Sequence, residues 1–177
     1  MAASAGSAAA AAAAPWLIDR ETASAAETEA LGRAIGTELA AGPGAGTIWL
    51  LTGNLGAGKT VFVRGICRGL GVSGRVRSPG FTLVTRHAGQ VPVVHVDLYR
   101  LERPGDVEGI GWDDLLVGDG ILLVEWGERA WELAGPDRLE VEIEDRGQDR
   151  RRIRIRALGG ARALGPLLER AAGEVQC

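Results

Sequence analysis

The stretch "GNLGAGKT", residues 53–60, follows the apolar run "TIWLL" (47–51) and leads straight into "VFVRGICRGLG" (61–71). "TIWLLT" (47–52) is short, unbroken and apolar, as a buried strand is, and "KTVFVRGICRGLG" (59–71) reads as a helix. Gly53, Gly56 and Gly58 therefore punctuate a strand–loop–helix passage and are followed by Lys59 and Thr60. Gly-x-x-x-x-Gly-Lys-Thr in that context is the phosphate-binding P-loop. Its glycines let successive backbone N–H groups converge on phosphate oxygens, and the helix that follows adds the positive end of its dipole. Gly53, Asn54, Leu55, Gly56, Ala57, Gly58, Lys59, Thr60 and Val61 are the expected nucleotide-contacting positions.

Composition sharpens this reading. Of 20 basic residues, Lys59 is the only lysine. A compact, mobile ammonium suits the β- and γ-phosphates, where a planar guanidinium would crowd the loop. The Thr60 hydroxyl is the expected Mg²⁺ ligand. The 177 residues suit one compact domain, and 46% apolar with 24% charged residues is ordinary globular composition. A net charge of -3 gives no reason to expect general affinity for nucleic acid or membranes. Two cysteines, Cys67 and Cys177, are too few for a disulfide framework and suit a reducing, cytoplasmic setting. The Ala-rich residues 1–15 read as a disordered tail, and 16–177 as a single domain.

Elsewhere the pattern predicts a helix before Gly42–Pro43–Gly44, with Ala26, Ala30, Ile35 and Leu39 on one face. It predicts a hairpin from "FTLVTRH" (81–87) and "VPVVHVD" (91–97), and short helices capped near Asp106 and Asp113. A buried strand follows at "ILLVE" (121–125), then two alternating strands at "RLEVEIED" and "RRIRIRAL", and a helix over 161–172. Gly69-x-Gly71-x-x-Gly74 has dinucleotide-fingerprint spacing but follows a helix, so it reads as helix termination. The expected fold is α/β, a P-loop NTPase fold whose mixed, mainly parallel sheet is flanked by helices and ends in an antiparallel hairpin.

Two apolar strands end in carboxylates, Asp97 and Glu125. Strand C-termini in such a sheet converge on the P-loop edge, so both are expected at a metal and water site. Taken singly, each could equally be a solvated strand end. With Lys59 they form the candidate catalytic set, and with Thr60 the candidate metal set. His95 reads as a hydrogen-bonded core histidine and His87 as a surface residue. Arg100 has two readings, a charge stabiliser for the γ-phosphate or a structural ion pair. Trp49 is expected in the core, and the arginines of "RRIRIR" (151–156) on a solvated face. A guanine signature Asn-Lys-x-Asp is excluded, because the only asparagine is Asn54 and the only lysine Lys59. A small-molecule kinase and a nucleotide-gated binding module stay open.

"LLTGNLGAGKTVFVRGICRGLG", "SPGFTLV", "HVDLYRL" and "LLVEWGE" occur in this order and spacing, and the chain from about residue 24 to 160 resembles the TsaE (YjeE) family. Those proteins are bacterial ATPases required for threonylcarbamoyl-adenosine modification of tRNA. The resemblance implies that the 54–60 backbone and Lys59 bind ATP phosphates and that Thr60 and Glu125 ligate Mg²⁺. It implies that Asp97 orders metal or attacking water, that Trp126 lies near the nucleotide, and that Ser78–Thr82 is the switch segment. The implied partner is the TsaD–TsaB synthase pair. With Gly80 in place of a switch hydroxyl, hydrolysis is expected to be slow alone and stimulated by the pair, and the net acidity makes any direct contact with tRNA weak. Three positions depart from the family pattern. Gly80 replaces a threonine, Val61 stands where a second threonine often follows the P-loop, and "QDRRR" offers Arg150 or Arg151 without the usual preceding glycine.

Overall fold

The computed structural model describes residues 15–115 and 118–175. The expected tail falls outside these residues except for Pro15, as does Cys177. Seven strands form one sheet: β1 (Ile18–Thr22), β2 (Ile48–Thr52), β3 (Val84–His87), β4 (Val93–Asp97), β5 (Ile121–Glu125), β6 (Leu139–Asp145) and β7 (Arg151–Ala157), in the order β1-β7-β6-β2-β5-β4-β3. The sheet is mixed. Pairings β4–β5, β5–β2 and β2–β6 are parallel and fill the centre, while β3–β4, β6–β7 and β7–β1 are antiparallel and form the flanks.

The central strands β2, β4 and β5 are buried along almost their whole length, which explains their unbroken apolar runs. Their two faces serve two cores. Trp49, Leu51, Val93, Ile121 and Leu123 face a core shared with helices α1 (Ala25–Ala41), α2 (Lys59–Gly69) and α5 (Gly165–Glu174). Ile48, Leu50, Val94, Val96, Leu122 and Val124 face the other, closed by the short helices α3 (Pro104–Glu108) and α4 (Trp112–Leu115). By the two-residue period of a strand, His95 and Asp97 share the face of Val93, and Glu125 that of Leu123. That is the α2 face.

Helix α1 departs from the expected pattern. Ser24 caps it, accepting from the Glu27 N–H at 3.1 Å. Its buried stripe, however, is Thr28, Leu31, Gly32, Ile35, Gly36 and Leu39, and Ala26 and Ala30 are exposed. The reason lies in α2. Gly32 and Gly36 on α1 meet Gly65 and Gly69 on α2 so closely that a Cβ on any of them would overlap a backbone carbonyl oxygen: of Phe62, Ile66, Glu29 and Arg33 respectively. Paired glycines four residues apart let helix backbones touch, a device familiar from membrane helix pairs. The seam takes glycine, so alanine goes to the water side. Glu29 flanks the seam and pairs with Arg64 (2.7 Å) and Arg68.

Other elements differ at their edges. Asp106 lies three residues into the turn and accepts from the Arg103 N–H at 3.3 Å, while Asp113 lies inside the first turn of α4. The first hairpin strand begins at Val84, because residues Gly80–Thr82 form a 3-10 turn bounded by positive φ at Gly80 (57°) and Leu83 (61°). The last helix is preceded by a 3-10 segment, Gly159–Leu164. Strand β1 was not expected. It adds to β7 with Asp19 opposite Arg154 and Glu21 opposite Arg152. No helix of the described residues is long and apolar enough to cross a membrane.

Candidate active site

The loop after β2 is built on positive φ at Gly53 (142°), Gly56 (79°) and Gly58 (111°), values an L side chain resists. It ends at Gly58, the N-cap of α2, so the unpaired N–H groups of the helix's first turn face the cleft beyond. That cleft has a volume of about 360 Å³, within the range of small-ligand sites. Leu55, Gly56, Gly58, Lys59, Thr60 and Val61 line one side. Asp97, Glu125 and Trp126 line the other, joined by Ser78, Gly80, Tyr99 and Arg100.

Lys59 is 4% exposed, and its Nζ donates to the carbonyls of Gly53 (2.5 Å) and Asn54 (2.9 Å). The Trp126 ring covers the ammonium, with its centroid 4.0 Å from Nζ. Burial lowers the Lys59 pKa, and the charges of Glu125, Glu128 and Asp97 pull it back up. Trp126 takes this place through a left-handed backbone, φ 60°, an uncommon conformation for a bulky residue and one that clusters at functional sites. Its ring also meets that of Tyr99 at 5.1 Å.

The register of β4 and β5 sets Asp97 directly beside Glu125. Both are nearly buried, at 8% and 3% exposure. Thr60 Oγ1 lies 2.9 Å from both carboxylate oxygens of Glu125, so the start of α2 and the end of β5 touch. Asp97 accepts from the Ser78 hydroxyl and from the Tyr99 N–H (3.0 Å). The Thr60 hydroxyl and the two carboxylates are oxygen donors of the kind Mg²⁺ takes. Among the described residues, no group of three or more His, Cys, Asp and Glu side chains could hold a metal ion. A metal here would draw the rest of its shell from phosphates and water.

Gly53, Asn54, Ala57 and Arg151 do not line the cleft. Gly53 and Asn54 serve Lys59 through their carbonyls, and Ala57 is buried beneath the loop. Arg151 lies against the loop's last turn, where a Cβ on Gly58 would meet its Nε at 2.7 Å. It pairs with Asp149 at 2.7 Å, while its Nε is buried without a partner. Arg150 is exposed and lines a surface hollow with Glu21, Asp145 and Arg146 rather than the cleft. Thr82 is exposed and donates to the Pro79 carbonyl (2.9 Å), outside the cleft lining. Val61 presents no hydroxyl to the cleft, and Gly80, at φ 57°, leaves open space where a side chain would stand.

Arg100 does not form the ion pair of its second reading among the described residues. It lines the cleft and stacks on Phe81, guanidinium carbon to ring centroid 3.8 Å, without an ion pair. His95 is a hydrogen-bonded core residue, but its partner is Glu125. His87 is half-buried rather than on the surface, and burial, then neighbouring His95, lowers its pKa. Cys67 is fully buried, which pushes its thiol up to about 12 and removes it as a nucleophile.

Tyr99 and Arg129 escaped the sequence reading. Arg129 Nη1 donates to the carbonyls of Leu98 (2.6 Å), Tyr99 (2.6 Å) and Leu101 (2.8 Å). It thereby ties down the turn that carries Tyr99 and Arg100 to the cleft. Arg129→Ala is expected to lose about 2–3 kcal/mol, a fall in unfolding midpoint of roughly 5–10 °C, because the carbonyls lose a charged donor. A thermal scan checks it.

Comparisons with known proteins agree with this architecture. The family model described as "Threonylcarbamoyl adenosine biosynthesis protein TsaE" matches residues 22–153. The chain is 39% identical over 115 residues to the TsaE of Bacillus subtilis (strain 168), covering 64% of this chain and 72% of that one. It is 38% identical over 135 residues to the TsaE of Streptomyces coelicolor, covering 72% and 90%. Among solved structures, Bacillus subtilis YdiB superposes with a TM-score of 0.71 at 30% identity, covering 86% of this chain and 94% of that chain. A P-loop, a carboxylate pair at its edge and a match across most of the chain lead to one conclusion: the chain belongs to the TsaE family.

Proposed function

We propose that this chain is a Mg²⁺-dependent ATPase in the biosynthesis of tRNA threonylcarbamoyladenosine, whose hydrolysis resets a TsaD–TsaB synthase pair in the cytoplasm. The observation that carries the reading is the contact of Thr60 with Glu125, which joins a P-loop helix to an acidic strand end inside one cleft. The family's name supports the tRNA modification.

In this reading the 54–60 backbone and the Lys59 ammonium bind the triphosphate. Thr60, Asp97 and Glu125 would hold Mg²⁺, which supplies charge neutralisation on the phosphates when bound. Asp97, fixed by Ser78 and the Tyr99 N–H, orients a water; Trp126 and Tyr99 wall the site. The Arg151 Nε, buried and without a partner beside Gly58, is the group best placed to add a donor at the loop.

The test is phosphate release from Mg-ATP, with and without the synthase pair. Release is expected to be slow for the chain alone and faster with the pair; no release in either condition overturns the proposal. Glu125→Gln keeps the shape of the site and removes the charge. It is expected to leave ATP affinity within a few-fold while cutting phosphate release about 100-fold or more. If modification by the reconstituted system survives that loss, the chain is a nucleotide-gated binding module.

A further inference from the structure

His95 is fully buried on β4, on the sheet face that also bears Asp97. Its Nε2 lies 2.9 Å from Glu125 Oε1. Its Nδ1 is buried and has no hydrogen-bond partner. The nearest ring is that of His87 on β3, 6.1 Å between centroids, and the Nε2 of His87 is likewise buried and unpartnered. The two imidazoles therefore do not satisfy one another.

This arrangement has one consistent proton placement. A carboxylate only accepts, so the hydrogen of the Glu125 contact sits on His95 Nε2. A hydrogen on Nδ1 would be a buried donor with nothing to receive it. We propose that His95, as its Nε2–H tautomer, is the positioning residue of Glu125. The imidazole grips Oε1 from the sheet side while Thr60 Oγ1 reaches both oxygens from the helix side. Between them the two groups set the plane of the carboxylate. Glu125 is 3% exposed, so water does little to hold that orientation.

The consequence for hydrolysis rests on the function proposed above; the tautomer and the grip on Glu125 do not. Removing a group that orients a metal-binding or catalytic side chain typically costs 10–100-fold. The loss belongs in turnover rather than nucleotide affinity, because His95 does not line the cleft.

Two experiments test this. The chain has only two histidines, so nitrogen NMR of the nucleotide-free, metal-free protein shows two imidazoles, and His87→Gln assigns them. The expected spectrum gives His95 a protonated Nε2 and a bare Nδ1; a proton on Nδ1 overturns the proposal. The second compares His95→Gln with His95→Asn. Glutamine places its amide nitrogen near the position of Nε2, asparagine near that of Nδ1. The asparagine variant is expected to lose roughly 10-fold or more in kcat with ATP Kd within about twofold, and the glutamine variant to retain most turnover. Equal loss in both variants, or a loss confined to Kd, overturns the proposal. If the unmodified chain releases no phosphate, the ATPase reading fails, and the NMR result alone decides what His95 does. The spectrum also decides the case of a variant that does not fold.

Discussion

Replacing Lys59 with alanine is expected to weaken Mg-ATP binding about 100-fold, read by calorimetry. Hydrogen bonds to charged groups are worth about 1.5–3 kcal/mol each, and loss of roughly 3 kcal/mol corresponds to that factor. The structure gives the ammonium no substitute. It is the only lysine of the chain, it is 4% exposed, and the Trp126 ring covers it. Arg151, against Gly58, is paired with Asp149 and does not line the cleft, and Arg100 is stacked on Phe81. Lys59→Arg is expected to recover little, because a planar fork does not fit where Gly53 and Asn54 close on a single nitrogen. Unchanged affinity in Lys59→Ala would remove the P-loop from the account.

The second large effect is on stability. Gly36→Ala is expected to destabilise the fold by about 3 kcal/mol, lowering the unfolding midpoint by roughly 6–12 °C. In an exposed helix the same change stabilises by up to about 1 kcal/mol. Here the added methyl would overlap the carbonyl oxygen of Ile66, which is helix backbone and cannot rotate aside. Gly173→Ala on α5 is the internal control: nothing lies within 4 Å of the new carbon, and a small gain is expected. Opposite signs from one chemical change isolate the seam as the cause. Equal shifts would show that the glycines matter only for their flexibility.

What could be read from the chain alone follows from how local each feature is. The P-loop is contiguous, and its strand and helix lie on either side of it, so residues 53–60 announced the fold. Asp97 and Glu125 were visible as strand ends, because buried parallel strands are unbroken apolar runs. Their adjacency was not visible: it comes from β4 pairing with β5 in one register. The same register brings His95 to Glu125, so a residue legible as core became part of the site only in three dimensions. Arg129 acts on backbone carbonyls some 30 residues away in sequence, which no side-chain pattern records. The face of α1 was misjudged because alanine counts as apolar in any periodicity, whereas the seam selects for no side chain at all. Strand β1 carries one large apolar residue, Ile18; it is held by its antiparallel backbone ladder to β7 rather than by an apolar stripe, so no periodicity marks it.

The charges on β7 have a wider consequence. Arg152 is matched by Asp19 (2.6 Å), Arg154 by Glu142 (2.5 Å) and Arg156 by Glu140 (2.7 Å). A row that looks like a cationic track in the one-letter string is, in space, a mosaic of alternating sign. A polyelectrolyte such as tRNA would release few counterions by settling there, so the strand has little to offer as a landing strip. Its arginines are spent on closing the sheet.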